Sequence, residues 1–328
     1  MAWRRTSFSG ITSGARHPSL APDPGIESTT DEPEPDPVAE VPVEEVPVED
    51  VPVEGVPVDL DLPMGSFKGG TSFGTLVHDI LESVDFADAN LMVALAAASQ
   101  APVRRHGFDL DQAQLVAALS EAIQTPLFPD GPGPTLGDIQ RADRLAEMEF
   151  EMSVPATAGP IGVKAIARVL RRRLADGHHL RGYADRLDQM EASQFTGYLS
   201  GAIDLVARIG EPAKYWVIDY KTNRLDFPGT KASISNYAPE KMANAMITGD
   251  YVLQSIVYQV ALHRYLRFRI PDYEIGRHLG GSLYLFLRGM IGSRTPANHA
   301  GRFGVAAWLA DPALIMDLSD LFDNGPPA

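Results

Sequence analysis

Phe195–Ile209 (FTGYLSGAIDLVARI) and Lys214–Tyr220 (KYWVIDY) are two neighbouring segments rich in aromatic and β-branched residues. Such residues favour β-strands, whereas Gly210-Glu211-Pro212-Ala213 between them is typical of a turn. Two strand-type segments on either side of a short turn predict a β-hairpin. Each of the two predicted strands contains one aspartate among apolar residues, Asp204 in the first and Asp219 in the second.

The surrounding chain is mostly helical in pattern, with Thr71 or Ser72 as a candidate cap of the first helix. Helices are predicted to about Val84 and over residues 89–100, 111–124, 137–145, 161–174, 239–247 and 251–268. Further strands are predicted over residues 147–154 and 282–287. Helices around a small mixed β-sheet indicate an α/β (α+β) fold with a helical N-terminal half.

The charge of the chain is concentrated in one segment. The 328 residues include 28 Lys+Arg and 43 Asp+Glu, for a net charge of −15, but residues 23–62 contain fourteen acidic residues and no Lys or Arg. Residues 41–60 are four pentapeptides, each with a proline at the same position, a composition that opposes helix and sheet. We therefore predict an N-terminal segment at 1–20, a disordered acidic linker at 21–63 and one domain at 64–328.

Several classes of function are excluded by composition. The chain has no cysteine, so disulfides, thiolate zinc sites and cysteine nucleophiles are excluded. It has no G-x-x-x-x-G-K-[ST] string, so no ATP-driven motor is expected. No long apolar run or signal-peptide pattern occurs either, so a cytoplasmic location without membrane association is expected.

Asp204, Asp219 and Lys221 are the candidate catalytic residues of the hairpin. A carboxylate among apolar strand residues is costly without a compensating cation, and two of them on paired strands can converge on a divalent metal. The period of two places Lys221 on the same face as Asp219 and Tyr220 on the other. Hard oxygen ligands beside an ammonium group suit phosphodiester hydrolysis. The alternative is a structural ion pair at the strand end, with Asp204 in a bulge or turn.

Four sequence strings resemble a known family. They are Gly201-Ala-Ile-Asp-Leu-Val-Ala207, Val217-Ile-Asp-Tyr-Lys-Thr-Asn223, Gln254-Ser-Ile-Val-Tyr-Gln-Val-Ala-Leu-His-Arg-Tyr-Leu266 and Gly280-Gly-Ser-Leu-Tyr-Leu-Phe-Leu-Arg-Gly289. Together they resemble the C-terminal nuclease domain of the RecB family, within the PD-(D/E)XK superfamily. The resemblance extends from about Phe67 to the C-terminus, Trp3–Gly10 resembles the short motif before that domain, and a restriction-endonuclease-like core is implied.

The resemblance also implies a metal site. It assigns the metal ligands to His78, Asp204, Asp219 and, through its carbonyl, Tyr220. One or two Mg²⁺ ions are expected, and Mn²⁺ or Ca²⁺ could replace Mg²⁺ in binding. The reason for Mn²⁺ is that an imidazole is a softer ligand than Mg²⁺ usually selects.

Glu147 corresponds in the resemblance to a further active-site carboxylate. Glu149 and Glu151 share its strand face, so an assignment shifted along the strand stays open. Lys221 is implied to position and activate the attacking water, with Asp219, Asp204 and Glu147 as the acidic catalytic residues.

DNA contacts are expected from two groups of residues. Gln254 and Tyr258 are four apart on one helix face and, by resemblance, border the active site. Gln254 could bind a phosphate or hold a ligand, and Tyr258 could stack on a base, orient Lys221 or be a core residue. The cluster Arg171, Arg172 and Arg173 is a candidate phosphate track or else a solvated helix face.

The resemblance implies a metal-dependent DNA exonuclease or endonuclease of a RecBCD-type (exodeoxyribonuclease V) complex, acting in double-strand break repair and DNA degradation. Its implied partners are DNA ends, RecC-like and RecD-like subunits and RecA. Members of the family carry a helicase ahead of the nuclease, so the chain is interpreted as a fragment or a separately encoded nuclease. The alternatives are a non-catalytic docking module and an unrelated phosphohydrolase of small molecules.

Overall fold

A computed structural model describes residues 5–7, 60–154, 161–190, 194–195, 197–226, 232–309 and 311–325. Most of the predicted acidic linker lies outside the described residues. The predicted N-terminal segment is described only at Arg5–Ser7, which forms a short strand.

The centre of the fold is a six-stranded mixed β-sheet. Its strands are β1 (Arg5–Ser7), β2 (Arg144–Val154), β5 (Gly197–Ile209), β6 (Lys214–Lys221), β7 (Leu279–Phe286) and β10 (Val305–Leu309). The hydrogen-bonded order is β1-β5-β6-β7-β10, and β2 pairs with β5 as well. The β1/β5 and β6/β7 pairs are parallel, whereas β2/β5, β5/β6 and β7/β10 are antiparallel.

The predicted hairpin is confirmed as β5 and β6, which pair from Leu205↔Ile218 to Ile209↔Lys214. Strand β2 pairs with nearly the whole length of β5. Since β2 takes up one edge of β5, the short strand β1 pairs with the other edge at Tyr198–Ser200, in line with β6.

Helices cover both faces of the sheet. They are α1 (Thr71–Ser83), α2 (Leu91–His106), α3 (Gln112–Ile123), α4 (Val163–Arg173), α5 (Tyr183–Gln189), α6 (Pro239–Thr248), α7 (Tyr251–Arg269), α8 (Ile275–His278) and α9 (Pro312–Asn324). The first three pack in one buried cluster, and α4, α5, α6, α7 and α9 pack in the other. The predicted α/β class with a small mixed sheet flanked by helices is confirmed.

The remaining described strands form two short pairs. They are β3 (Ile161–Gly162) with β4 (Gln194–Phe195), and β8 (Ala297–Asn298) with β9 (Gly301–Arg302). Among the described residues, no helix combines the length and the apolar composition needed to cross a bilayer.

Most predicted elements are present, but one helix prediction is wrong. Residues 137–145 do not form a helix: two short 3₁₀ turns, Leu136–Asp138 and Arg141–Asp143, lead into β2. Strand β2 begins at Arg144 because Arg144–Ala146 pair with β5, and this pairing overrides the helical pattern. The N-cap of the first helix also differs from the prediction, since Gly70 occupies this position and not Thr71 or Ser72.

Candidate active site

The site forms where β5 and β6 separate. The last ladder pair between them is Leu205↔Ile218, after which β6 stays paired only with β7, as far as Lys221↔Phe286. Asp204 and Asp219 are the first residues beyond that last pair. The fold therefore brings both candidate carboxylates to the start of the same gap in the sheet.

Asp204 bridges this gap with its side chain. Its Oδ2 atom accepts a hydrogen bond of 2.8 Å from the main-chain N–H of Tyr220. The carboxylate thus takes the place of the ladder acceptor that β5 no longer supplies. This bond fixes Asp204 against the segment that contains Asp219, Tyr220 and Lys221.

His78 approaches from α1. Its Nε2 atom lies 3.0 Å from the Tyr220 carbonyl oxygen and its Nδ1 atom 3.6 Å from Asp204 Oδ2. One turn earlier in α1, a Cβ atom on Gly74 would lie 3.3 Å from the Thr222 hydroxyl oxygen. The glycine lets α1 pack closely on the end of β6, which brings the imidazole to the two strand ends.

Lys221 and Asp219 form a buried ion pair. Lys221 Nζ lies 2.8 Å from Asp219 Oδ2, and the two residues are 8% and 2% exposed. The ammonium also lies 4.2 Å from the centre of the Tyr251 ring and 5.6 Å from that of Tyr284. The predicted placement of Lys221 beside Asp219 is thus what the structure shows.

The protonation of the site follows from burial and from these contacts. Burial raises the pKa of Asp219 to about 7, because lost hydration and the Asp204 charge outweigh the Lys221 ammonium. Burial alone would lower the pKa of His78, but the charge of Asp204 and its hydrogen bond raise it to about 9. Burial also disfavours ionisation of Asp204, yet the His78 ring and Lys221 hold its pKa below the usual value.

Glu147 lies opposite Asp204 on β2. The ladder pairs on either side are Ala146↔Leu205 and Met148↔Ile203, and Glu147 itself forms no ladder pair. Its backbone has φ 48°, a left-handed conformation that is unfavourable for a side chain with a Cβ atom. Burial, followed by the charge of Asp204, raises the pKa of its carboxyl. Glu149 and Glu151 lie along the same strand at other register positions, so the geometry favours Glu147.

The donor set suits a hard divalent cation. Two carboxylates, an imidazole and a main-chain carbonyl are ligands that such ions accept. His78 Nε2 and the Tyr220 carbonyl oxygen lie 3.0 Å apart, close enough for both to be ligands of one ion. Within the described residues, no three His, Asp or Glu side chains already surround a common point. The donors instead bond to one another and to Lys221.

Gln254 and Tyr258 lie behind the site, on α7. They are 4% and 6% exposed, and Gln254 Nε2 donates a hydrogen bond of 3.2 Å to the Tyr258 hydroxyl. Gln254 Oε1 accepts a hydrogen bond of 3.2 Å from the Tyr284 hydroxyl. Stacking on a base requires an exposed ring face, so in this conformation the pair supports Tyr284 and the interpretation of Tyr258 as a core residue is favoured.

The last turn of α4 consists of Arg171, Arg172 and Arg173. Each of these arginines forms an ion pair with a carboxylate. Arg171 pairs with Asp185 at 2.7 Å, and Arg172 and Arg173 pair with Asp317, each at 2.6 Å. Their charge is thus largely compensated within the chain, which favours a solvated helix face over a phosphate track.

Tyr251 and Arg288 are two functional candidates that the sequence reasoning missed. Tyr251 precedes Gln254 by three residues and so shares its helix face, a spacing that could have indicated it. Arg288 is 2% exposed and donates to the main-chain carbonyls of Thr222, Met64, Phe67 and Lys68. Its position directly after an apolar strand is the sequence signal that could have indicated Arg288.

The chain is similar to proteins of known family. A family model described as the PD-(D/E)XK nuclease superfamily matches residues 58–301. RecBCD enzyme subunit RecB of Mycobacterium tuberculosis (strain H37Rv) is 38% identical over 340 residues, which covers 98% of this chain and 29% of that protein. The same subunit of Mycolicibacterium smegmatis is 37% identical, with coverage of 100% and 30%. That of Escherichia coli (strain K12) is 33% identical, with coverage of 68% and 17%. The chain thus spans less than a third of the length of these relatives.

Proposed function

Because the chain belongs to the PD-(D/E)XK nuclease superfamily, we propose that it is a Mg²⁺-dependent deoxyribonuclease domain that hydrolyses phosphodiester bonds of DNA. The resemblance to RecB nuclease domains predicted from the sequence strings is confirmed by relatives matched along the whole chain. The observation that carries the proposal is the meeting of Asp204, Asp219, His78 and Lys221 where β5 and β6 separate.

The residues of the site divide into metal ligands and groups that act on the substrate. Asp204, Asp219, His78 and the Tyr220 carbonyl would hold Mg²⁺. When bound, the ion supplies Lewis acidity to the scissile phosphate and lowers the pKa of the attacking water. Lys221 donates hydrogen bonds from its ammonium, which orients the water and stabilises the charge that develops on the phosphate as the P–O bond breaks.

Glu147 completes the acidic side of the site. Its carboxyl lies across from Asp204 and has a raised pKa, so near neutral pH it is better able than an ordinary glutamate to hold a proton. In the proposed reaction the ionised carboxylate accepts a proton from the attacking water, or the protonated carboxyl donates one to the leaving oxygen.

The proposed biological setting follows the relatives. Proteins named RecBCD enzyme subunit RecB match this chain, so we propose a place in a RecBCD-type complex with RecC-like and RecD-like subunits. The substrate would be DNA strands at unwound double-stranded ends, in break repair and DNA degradation, with RecA recruited afterwards. Such a complex acts on chromosomal DNA, so the proposed location is the cytoplasm of a bacterium.

The proposal is tested by incubating the purified chain with linear single-stranded DNA in Mg²⁺ or in EDTA. We expect the chain to cut the DNA in Mg²⁺. We expect no cutting in EDTA and none by an Asp219→Ala variant. Asp176→Ala is the matched control, since that aspartate side chain is 97% exposed and should leave cutting unchanged. DNA or partner binding without cutting would instead support a docking module, and turnover of nucleotides or sugar phosphates but not of DNA would support a small-molecule phosphohydrolase.

A further inference from the structure

The Lys221 ammonium lies beside two tyrosine rings. The rings of Tyr251 and Tyr284 have centres 6.0 Å apart and planes inclined by 27°. The ammonium is 4.2 Å from the first ring centre and 5.6 Å from the second. Both distances are within the roughly 6 Å range of a cation–π interaction.

From this arrangement we infer that Tyr251 is a positioning residue for the nuclease reaction, acting through Lys221: its ring face holds the ammonium in place beside Asp219. The inference rests on the proposed function, because it assigns Lys221 a role in cutting DNA. It goes further by naming the group that sets where the ammonium lies. Tyr258, the candidate for this role in the sequence, forms its hydrogen bond to Gln254 instead.

The backbone that carries Tyr251 is fixed at the start of α7. Asp250 occupies the N-cap with φ 60° and is 1% exposed. Its carboxylate accepts hydrogen bonds from Arg186 at 2.7 and 3.1 Å and from the Tyr183 hydroxyl at 3.2 Å. Aspartate adopts the left-handed conformation more readily than most residues, and here α5 supplies the partners of its carboxylate. The first residue of α7 is therefore held against a neighbouring helix.

The ring of Tyr251 is also constrained by contacts with Gly249 and Asn223. A Cβ atom on Gly249 would lie 2.8 Å from the ring, so only glycine leaves room for it there. At its outer end, the Tyr251 hydroxyl donates a hydrogen bond of 3.3 Å to Asn223 Oδ1. Asn223 lies two residues after Lys221, so this bond ties the ring to the segment that contains the lysine.

A lysine needs such a constraint because its side chain is long and flexible. Ordering it costs rotamer entropy, and the ion pair with Asp219 restricts only its tip. Once Asp219 is engaged as a metal ligand, its negative charge is shared and holds the ammonium less strongly. The quadrupole of an aromatic ring does not change under those conditions. Tyr251 therefore keeps the ammonium in position when the ion pair is weakened.

A double-mutant cycle tests the inference through cutting of single-stranded DNA. The variants are Tyr251→Leu, Tyr251→Phe, Lys221→Met and the Tyr251→Leu/Lys221→Met pair. Tyr251→Phe keeps the ring face and loses only the hydrogen bond to Asn223, so it should retain most of the cutting rate, whereas Tyr251→Leu should lower kcat about tenfold with little change in KM. In the Lys221→Met background, Tyr251→Leu should have no further effect, because the residue acts through the lysine.

The same cycle measured by urea unfolding in EDTA is independent of cutting. If ring and ammonium interact, the losses in unfolding midpoint of the two single variants should sum to more than the loss in the double variant. Absence of cutting by the unmodified chain would count against the proposed function, and the unfolding cycle would still decide whether the contact exists.

Three outcomes would overturn the inference. One is additive effects of Tyr251→Leu and Lys221→Met in the unfolding cycle. Another is an equal loss of kcat on Tyr251→Leu with and without Lys221. The third is a loss in Tyr251→Phe as large as in Tyr251→Leu, which would assign the role to the hydroxyl and Asn223 rather than to the ring.

Discussion

Asp204 and Tyr220 are joined across the point where β5 and β6 separate, by a 2.8 Å hydrogen bond from the Tyr220 N–H to Asp204 Oδ2. The same carboxylate lies 3.6 Å from the His78 ring. One side chain therefore both closes the gap in the β-sheet and contributes to the candidate metal site. The structural and chemical parts of its role can be separated by substitution.

Asp204→Ala and Asp204→Asn are expected to differ in stability and to agree in activity. Alanine leaves the Tyr220 N–H without its acceptor, which should lower the free energy of unfolding by about 1–3 kcal/mol. Asparagine retains an amide oxygen and should lower it less. Both should cut DNA at least about 100-fold more slowly, because the anionic ligand is lost. Urea unfolding in EDTA and single-turnover cutting measure the two effects. Equal stability of the two variants would show that the hydrogen bond contributes little.

Metal binding should depend steeply on pH. In the metal-free protein the pKa of Asp219 is raised to about 7 and that of His78 to about 9, so both must lose protons to act as ligands. Mg²⁺ affinity should therefore rise between pH 6 and pH 9, about tenfold per pH unit for each proton released. Calorimetry in buffers of different ionisation enthalpy counts those protons. His78→Gln is the control, and it should remove the part of the dependence above pH 7.

The same shifts predict how stability changes with pH in EDTA. Both folded-state pKa values are raised, so the protonated forms favour folding. The His78 contribution is fully present below about pH 6.5 and is lost as pH rises through 9, and the Asp219 contribution is present below about 3.8 and is lost through 7. The contribution of these two groups to the unfolding midpoint in EDTA should therefore decrease from pH 4 to pH 9. A midpoint that rises over pH 7–9 in the native chain and falls in His78→Gln would contradict this assignment.

Glu147→Gly should be more stable than Glu147→Ala. Glu147 has φ 48°, a conformation that costs a residue with a Cβ atom about 1–2 kcal/mol and costs glycine little. Both variants lose the carboxylate, so both should cut DNA more slowly by a similar factor. The difference in their free energies of unfolding isolates the backbone strain. Equal stabilities would mean that β2 relaxes to an ordinary strand conformation once the glutamate is removed.

The hairpin and its two aspartates can be predicted from the sequence because strand geometry is local. A period of two fixes the face of each residue, and a short turn fixes which strands are neighbours. These two rules are enough to bring Asp204, Asp219 and Lys221 together. His78 is reached only by resemblance, because α1 is brought to the end of β6 by packing between residues far apart in the chain.

The wrong helix prediction, and the points that the sequence leaves open, have physical reasons of the same kind. Residues 137–145 have a helical pattern, but Arg144 and Leu145 pair with β5, and sheet pairing outweighs a weak local preference. Tyr258 is a candidate DNA contact by resemblance, and its helix has apolar residues on every side, so the pattern alone does not show which side meets the site. The left-handed backbone of Glu147 has no sequence signal, since glycine and asparagine are the residues usually found there.

Arg288 and Arg302 provide a matched pair for testing how the ends of the site are held together. Each guanidinium donates to four main-chain carbonyls: those of Thr222 and the 64–68 segment for Arg288, and those of the 128–131 segment and Thr295 for Arg302. Lysine has a single donor atom and cannot reach four acceptors together. Both Arg→Lys variants should therefore lose about 2–4 kcal/mol of unfolding free energy.

Only Arg288→Lys should also impair cutting by the molecules that stay folded. Thr222 directly follows Lys221, and the 64–68 segment leads into the helix that carries His78, so Arg288 joins the lysine strand to the histidine helix. The bonds of Arg302 lie away from these residues. Cutting rates measured well below each variant's unfolding temperature separate the two effects. Equal cutting by Arg288→Lys and Arg302→Lys would show that the ligands and the lysine keep their relative positions without this arginine.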